Sequence, residues 1–191
     1  MKKTMSTKNL VMCALLAAIV VVLQYLGSFI KFGPFSVSLV LIPIVVGSAI
    51  CGKGAGAVLG AVFGFVVLIT DSAAFLAINA PATFVLVMLK GILAGFCAGI
   101  VYGIFKKYNS YLAVVASAII CPIVNTGVFL LGCFIFFMDD VVALATSLGS
   151  PETGAALFIT LALGNFLFEL GLNTVLSPVI VRLVNIKNKQ Y

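Results

Sequence analysis

Two ionisable side chains interrupt long apolar runs: Lys90 within LVMLKGILAG and Glu169 within NFLFELGLN. A charge placed in hydrocarbon costs about 2.5–3.5 kcal/mol on insertion scales, so each needs a partner, a hydrated cavity or a ligand. Two readings follow. The ammonium and the carboxylate pair with one another, or Lys90 meets an anionic group of a bound molecule while the carboxylate and nearby amides take its hydroxyl and N–H groups. Asn125 and Asn165 are also embedded in apolar runs, and Asn165, Glu169 and Asn173 share one helix face by their i, i+4 spacing. Gln24 stands near the end of the first run. Lys31, Phe35, Phe75 and Asn79 lie in the short segments between runs, a mixture of apolar, amide and cationic groups suited to enclosing a small polar molecule. The candidate binding residues are therefore Lys90, Asn125, Asn165, Glu169, Asn79, Lys31, Phe75 and Gln24.

Catalytic chemistry is not expected. The chain has no histidine, which removes the commonest general base and metal ligand. The serines lack a base partner, the carboxylates form no close membrane-embedded pair, and Gly52-Lys53-Gly54 is too short for a phosphate loop. Cys13, Cys51, Cys97, Cys121 and Cys133 are scattered in or beside apolar runs without metal-ligand spacing, and read as small packing residues. Neither metal nor cofactor is called for.

The elements that must position these groups are transmembrane helices. Of the residues, 63% are hydrophobic and 8% charged, and the mean hydropathy is +1.32, a composition that needs lipid as its solvent. Apolar runs broken by Gly, Pro or charge predict spans at 10–26, 37–50, 55–69, 83–105, 112–138 and 155–183. The second and third are shorter than the usual crossing of about 20 residues, and Pro43 can kink the second. The basic start resembles a signal peptide, yet the first run is long enough to cross and no small-residue cleavage site follows, so a retained first helix is expected. The expected fold is thus an all-α integral membrane bundle of six transmembrane helices forming one domain over residues 1–191.

Basic residues set the orientation. With the N-terminus inside, Lys2, Lys3, Lys8, Lys53, Lys106, Lys107, Arg182, Lys187 and Lys189 all fall on the cytoplasmic side, and Lys31 alone falls in an external loop. Asp71, Asp139, Asp140 and Glu152 are external in this arrangement, and both termini are cytoplasmic. The net charge of +6 arises from pairs and triplets at span ends rather than from a continuous basic patch, which excludes a nucleic-acid partner.

Small residues carry the packing information, because apolar surface alone does not drive helices together in lipid. Gly52, Gly56, Gly60 and Gly64 recur every four residues, as do Gly91, Gly95, Gly99 and Gly103. Each series marks a face open to close approach, either as a seam within the bundle or as a docking surface for another subunit. Ala14 and Ala18 form a shorter Ala-x-x-x-Ala step on the first helix.

Over nearly its full length the chain resembles the substrate-binding S components of energy-coupling-factor vitamin transporters. The likeness rests on the six-helix pattern, the basic ends and the small-residue first helix. Phe32-Gly33-Pro34-Phe35-Ser36 with Leu41-Ile42-Pro43, and Cys121-Pro122-Ile123-Val124-Asn125-Thr126-Gly127, look like riboflavin- and pantothenate-type members. The resemblance implies a plasma-membrane protein that captures a water-soluble vitamin at the outer face and delivers it with a membrane coupling subunit and two ATPase subunits. It further implies that Ala14 and Ala18 dock the coupling subunit, and that the ligand lies near the outer ends of the later helices. The absence of Trp and His departs from thiamine-type members. Lys90 together with Asn125 and Asn165 places pantothenate first and riboflavin second. The alternatives are a stand-alone ion-coupled carrier, for which Glu169 is the one carboxylate within the spans, and a structural or pore-forming protein whose polar residues only join its helices.

Overall fold

The computed structural model describes residues 7–32, 35–36, 38–147 and 154–189. Lys2, Lys3, Gly33, Pro34 and Glu152 lie outside the described residues, as do the side chains of Lys31, Phe32 and Phe35. The chain runs α1 (Thr7–Gly27), a two-residue antiparallel ladder of β1 (Lys31–Phe32) with β2 (Phe35–Ser36), then α2 (Leu41–Cys51), α3 (Lys53–Thr70), α4 (Ala73–Phe105), α5 (Ser110–Phe136), α6 (Met138–Ser147) and α7 (Gly154–Lys189). Among the described residues five helices are long and apolar enough to cross a membrane: α1, α3, α4, α5 and the Ile159–Arg182 stretch of α7.

The second expected span is the exception. Its helix, α2, has 11 residues and begins at Leu41 rather than 37, so it rises only about 16 Å of a hydrocarbon core about 30 Å thick. It is nonetheless the most enclosed helix, with Leu41, Ile44 and Val45 fully buried among α1, α3, α4 and α7. Gly52, at φ +95°, separates α2 from α3 in a backbone conformation that a side chain rarely adopts.

Two expected loops are partly helical. The segment before 83 forms the first turns of α4, which kinks at Asn79 (φ −148°, ψ 90°) ahead of Pro81. Proline lacks an N–H and its ring clashes with the carbonyl four residues back, so the helix before it cannot continue unbroken and a new helical segment starts here. Asn79 Oδ1 accepts from the Ala82 amide at 3.1 Å and caps that segment, which leaves Asn79 exposed. After α5, residues 138–147 form α6, with Asp139 and Asp140 in its first turn, where carboxylates favour the helix dipole.

Three glycines of each series, Gly56, Gly60 and Gly64 with Gly91, Gly95 and Gly99, prove to be opposite sides of one seam. Antiparallel α3 and α4 bring Gly56 against Gly95 and Gly60 against Gly91, backbone on backbone, so that a Cβ at any of the four would overlap a carbonyl oxygen of the other helix. Gly64 meets Val87 and Met88, and Gly99 meets the Lys53 backbone. Ser48 of α2 donates to both the Ile44 carbonyl (2.8 Å) and the Gly95 carbonyl (3.0 Å), which ties α2 to the same seam. Gly54 and Gly103 have no neighbour within 4 Å of a Cβ position. The five cysteines are free thiols.

Candidate functional site

The seam holds α3 and α4 as one block, and α1, α5 and α7 pack around it to leave a cavity at the end of the bundle that carries the β1–β2 ladder. Counted out to its mouth and including the open space there, the cavity has an empty volume of about 750 Å³. Five elements contribute to its lining: Gln24 near the end of α1, Asp71 just beyond α3, Phe75 and Lys90 on the two segments of α4, Asn125 midway along α5, and Asn165 with Glu169 on α7.

Burial makes every hydrogen bond here consequential, since an unpaired buried polar group costs about 1–3 kcal/mol. Gln24, fully buried, donates through Nε2 to Asp71 Oδ2 at 2.8 Å, and Thr70 Oγ1 donates to the same oxygen at 2.6 Å. Asn165 Nδ2 donates to Glu169 Oε1 at 3.1 Å. Asn173, below the cavity on the shared face of α7, donates to the Glu169 carbonyl at 2.9 Å. These bonds leave Gln24 Oε1, Asn165 Oδ1 and Asn173 Oδ1 without a donor, and Asn125 Oδ1 and Glu169 Oε2 are likewise buried and unpartnered. The deficit is consistently one of donors.

Lys90 supplies the opposite character. Half-buried, its Nζ sits 4.9 Å from the ring centroid of Phe129 and 5.7 Å from that of Phe63. Such contacts stabilise an ammonium by about 0.5–2 kcal/mol and leave its N–H groups available to an acceptor. Among the described residues Lys90 makes no ion pair, so its expected pairing with Glu169 is not formed as a direct contact. Phe75 packs edge-on against Phe129 and Phe137, with centroids 5.8 and 5.4 Å apart, which gives the cavity an aromatic flank.

Glu169 also reaches the segment after the ladder: its Oε1 accepts the Ser38 amide at 2.9 Å, across 131 residues of sequence. Glu169→Ala is expected to leave that buried amide without an acceptor and to speed its hydrogen exchange, whereas Glu169→Gln retains an acceptor and the protection. Unchanged exchange at Ser38 in the alanine variant would disprove this tie.

Of the expected residues, Lys90, Asn125, Asn165, Glu169, Phe75 and Gln24 line the one cavity. Asn79 does not, because its side chain is committed to the cap of α4. Lys31 stands on β1, and its side chain lies outside the described set. Asp71, Ser36, Ser38, Ser72, Thr83, Thr126 and Phe137 also line the cavity and were not anticipated. For Asp71 a signal existed: an acid immediately after an apolar run can face inward from the span end as readily as outward.

Spans around one polar, partly aromatic cavity define a multi-pass membrane protein built to hold a small solute. The model of the ECF transporter substrate-specific component family matches residues 8–181, and the chain belongs to that family. Membership implies a small-molecule substrate and work alongside a membrane coupling subunit and ATPase subunits. No curated protein matches the chain.

Proposed function

We propose that this chain is the subunit of an ECF importer that captures a water-soluble vitamin from outside the cell, in the cavity between α1, α3, α4, α5 and α7. One observation carries the reading: Lys90, held among the described residues by aromatic faces, lines the same cavity as Gln24, Asn125, Asn165 and Glu169, each of which carries a buried, unpartnered oxygen. The complementary ligand offers several O–H or N–H donors and one anionic or strongly accepting group. Pantothenate, with two hydroxyls, an amide N–H and a carboxylate, meets each requirement. Riboflavin is the second reading, favoured by the Phe75–Phe129–Phe137 flank, on which a flat ring system can pack.

In this reading six crossings are completed by α2 with residues 38–40, the termini and the α3 N-terminus face the cytoplasm, and the cavity opens outward in the plasma membrane. The coupling subunit docks on the face of α1 that carries Ala14 and Ala18. A stand-alone carrier would take up substrate without ATPase subunits; uptake that requires them supports the present assignment.

Mass spectrometry of ligand extracted from the purified protein tests binding and identity together. Lys90→Ala is then expected to weaken vitamin affinity by about 10- to 100-fold in a titration, as for loss of one charge-assisted hydrogen bond. An affinity equal to wild type would remove Lys90 from the site.

A further inference from the structure

A second concavity lies at the opposite end of the bundle, between the start of α3 and the last turns of α4. Its lining is Lys53, Gly99, Ile100, Gly103, Ile104, Lys107 and Tyr108, with an empty volume of about 630 Å³ counted out to its mouth. The composition is graded. Ile100 and Ile104 form an apolar wall on the side of the membrane core, and Lys53 and Lys107 stand at the rim, both exposed. No acidic side chain lines it. The groove exists because of glycine: Gly99 admits the Lys53 backbone, and one turn further Gly103 leaves the space beside it open.

We propose that this groove is a binding site for an anionic phospholipid of the leaflet at that end, with the phosphate between Lys53 and Lys107 and an acyl chain along Ile100, Gly103 and Ile104. Three features point to lipid. The two cations bracket the groove at the ends of membrane-spanning helices, where headgroups lie, and basic pockets between such helices suit anionic headgroups. The apolar wall continues toward the hydrocarbon, which a free phosphate would not use. Tyr108, 82% exposed at the rim, has the amphipathic ring favoured at headgroup depth. With the cavity opening outward, the leaflet is the cytoplasmic one, where the coupling and ATPase subunits assemble.

The test is native mass spectrometry of the full chain in detergent, with phosphatidylglycerol and phosphatidylcholine of identical acyl chains added at equal concentration. Wild type is expected to retain phosphatidylglycerol roughly 30-fold over phosphatidylcholine, the equivalent of about 1 kcal/mol for each of the two basic residues near an anionic headgroup. K53Q/K107Q should lose that preference while its thermal unfolding stays unchanged, and K106Q, which alters a lysine outside the groove, should keep it. Equal retention of the two lipids by wild type, or a preference that survives in K53Q/K107Q, would overturn the proposal. So would displacement of the lipid by millimolar inorganic phosphate, which would assign the groove to a free anion, or by the coupling subunit, which would make it a protein interface.

Discussion

Gly60→Ala, the addition of one methyl group, is expected to destabilise this protein more than any single change in the ligand cavity. The new Cβ would overlap the carbonyl oxygen and carbon of Gly91, which are backbone atoms and cannot turn aside as a side chain would. Relief by sliding is blocked, because Gly56 and Gly95 make the same contact one turn away and Ser48 fastens Gly95 to α2. The helices must therefore part along the whole seam. Overpacking in a well-ordered core costs about 1–3 kcal/mol and more where the backbone must move. Separation also loses dispersion contacts along α3 and α4, which lipid chains do not replace with equal fit.

A control of the opposite sign sharpens the test. Gly127 lies within α5 with nothing inside 4 Å of a Cβ position, and replacing glycine by alanine in a helix interior gains about 1 kcal/mol from propensity alone. Gly127→Ala should thus melt at or above the wild-type temperature in detergent, while Gly60→Ala melts well below it and yields less monodisperse protein. Equal melting of the two variants would show that the seam is not the close contact described. Since α4 carries Lys90 and the cavity mouth follows α3, Gly60→Ala should also weaken ligand binding without touching a ligand contact.

The glycine series were legible in the sequence because a period of four needs no knowledge of the partner. That they face one another was not, because either could have met a different helix or another subunit. The polar cavity was legible in outline for a related reason. A charge or amide in an apolar run is costly wherever it lies, which singled out Lys90, Asn125, Asn165 and Glu169 before any geometry. Residues near span ends gave no such signal, since water is close enough to satisfy them. Asn79 was therefore assigned to the cavity although it caps a helix, and Asp71 was assigned to a loop although it lines the cavity. The shortness of α2 follows the same logic: the apolar run continues ahead of Leu41 through a turn at 39–40, and hydropathy does not register where within an apolar run a helix begins.

Bulky substitution at Ala14 and Ala18 is expected to abolish uptake while leaving vitamin affinity intact. In α1 the buried stripe runs through Leu16, Val20, Gln24 and Gly27, facing the rest of the bundle. Ala14 and Ala18 each stand two residues before a member of that stripe, about 200° round the helix, and both are exposed. Around them Leu10, Val11, Leu15, Ile19 and Val22 are exposed as well, so the two alanines form a shallow step in an apolar face that nothing in this chain covers among the described residues. A step of small residues permits close backbone approach by a partner helix, and Ala14→Trp with Ala18→Trp would hold that helix several ångströms away. Lipid contact alone would tolerate tryptophan. The ligand cavity should not respond, because Ala18 is six residues, about 9 Å along the axis and about 120° round the helix, from Gln24 and is exposed where Gln24 is buried. The double variant should therefore titrate with vitamin as wild type does, fail to co-purify with the coupling subunit, and reduce ATP-dependent uptake at least about tenfold, the equivalent of 1.4 kcal/mol in association. Weakened binding in a variant that still assembles would place the alanines in the fold of the site rather than at its interface, and unaltered uptake would leave this face to lipid.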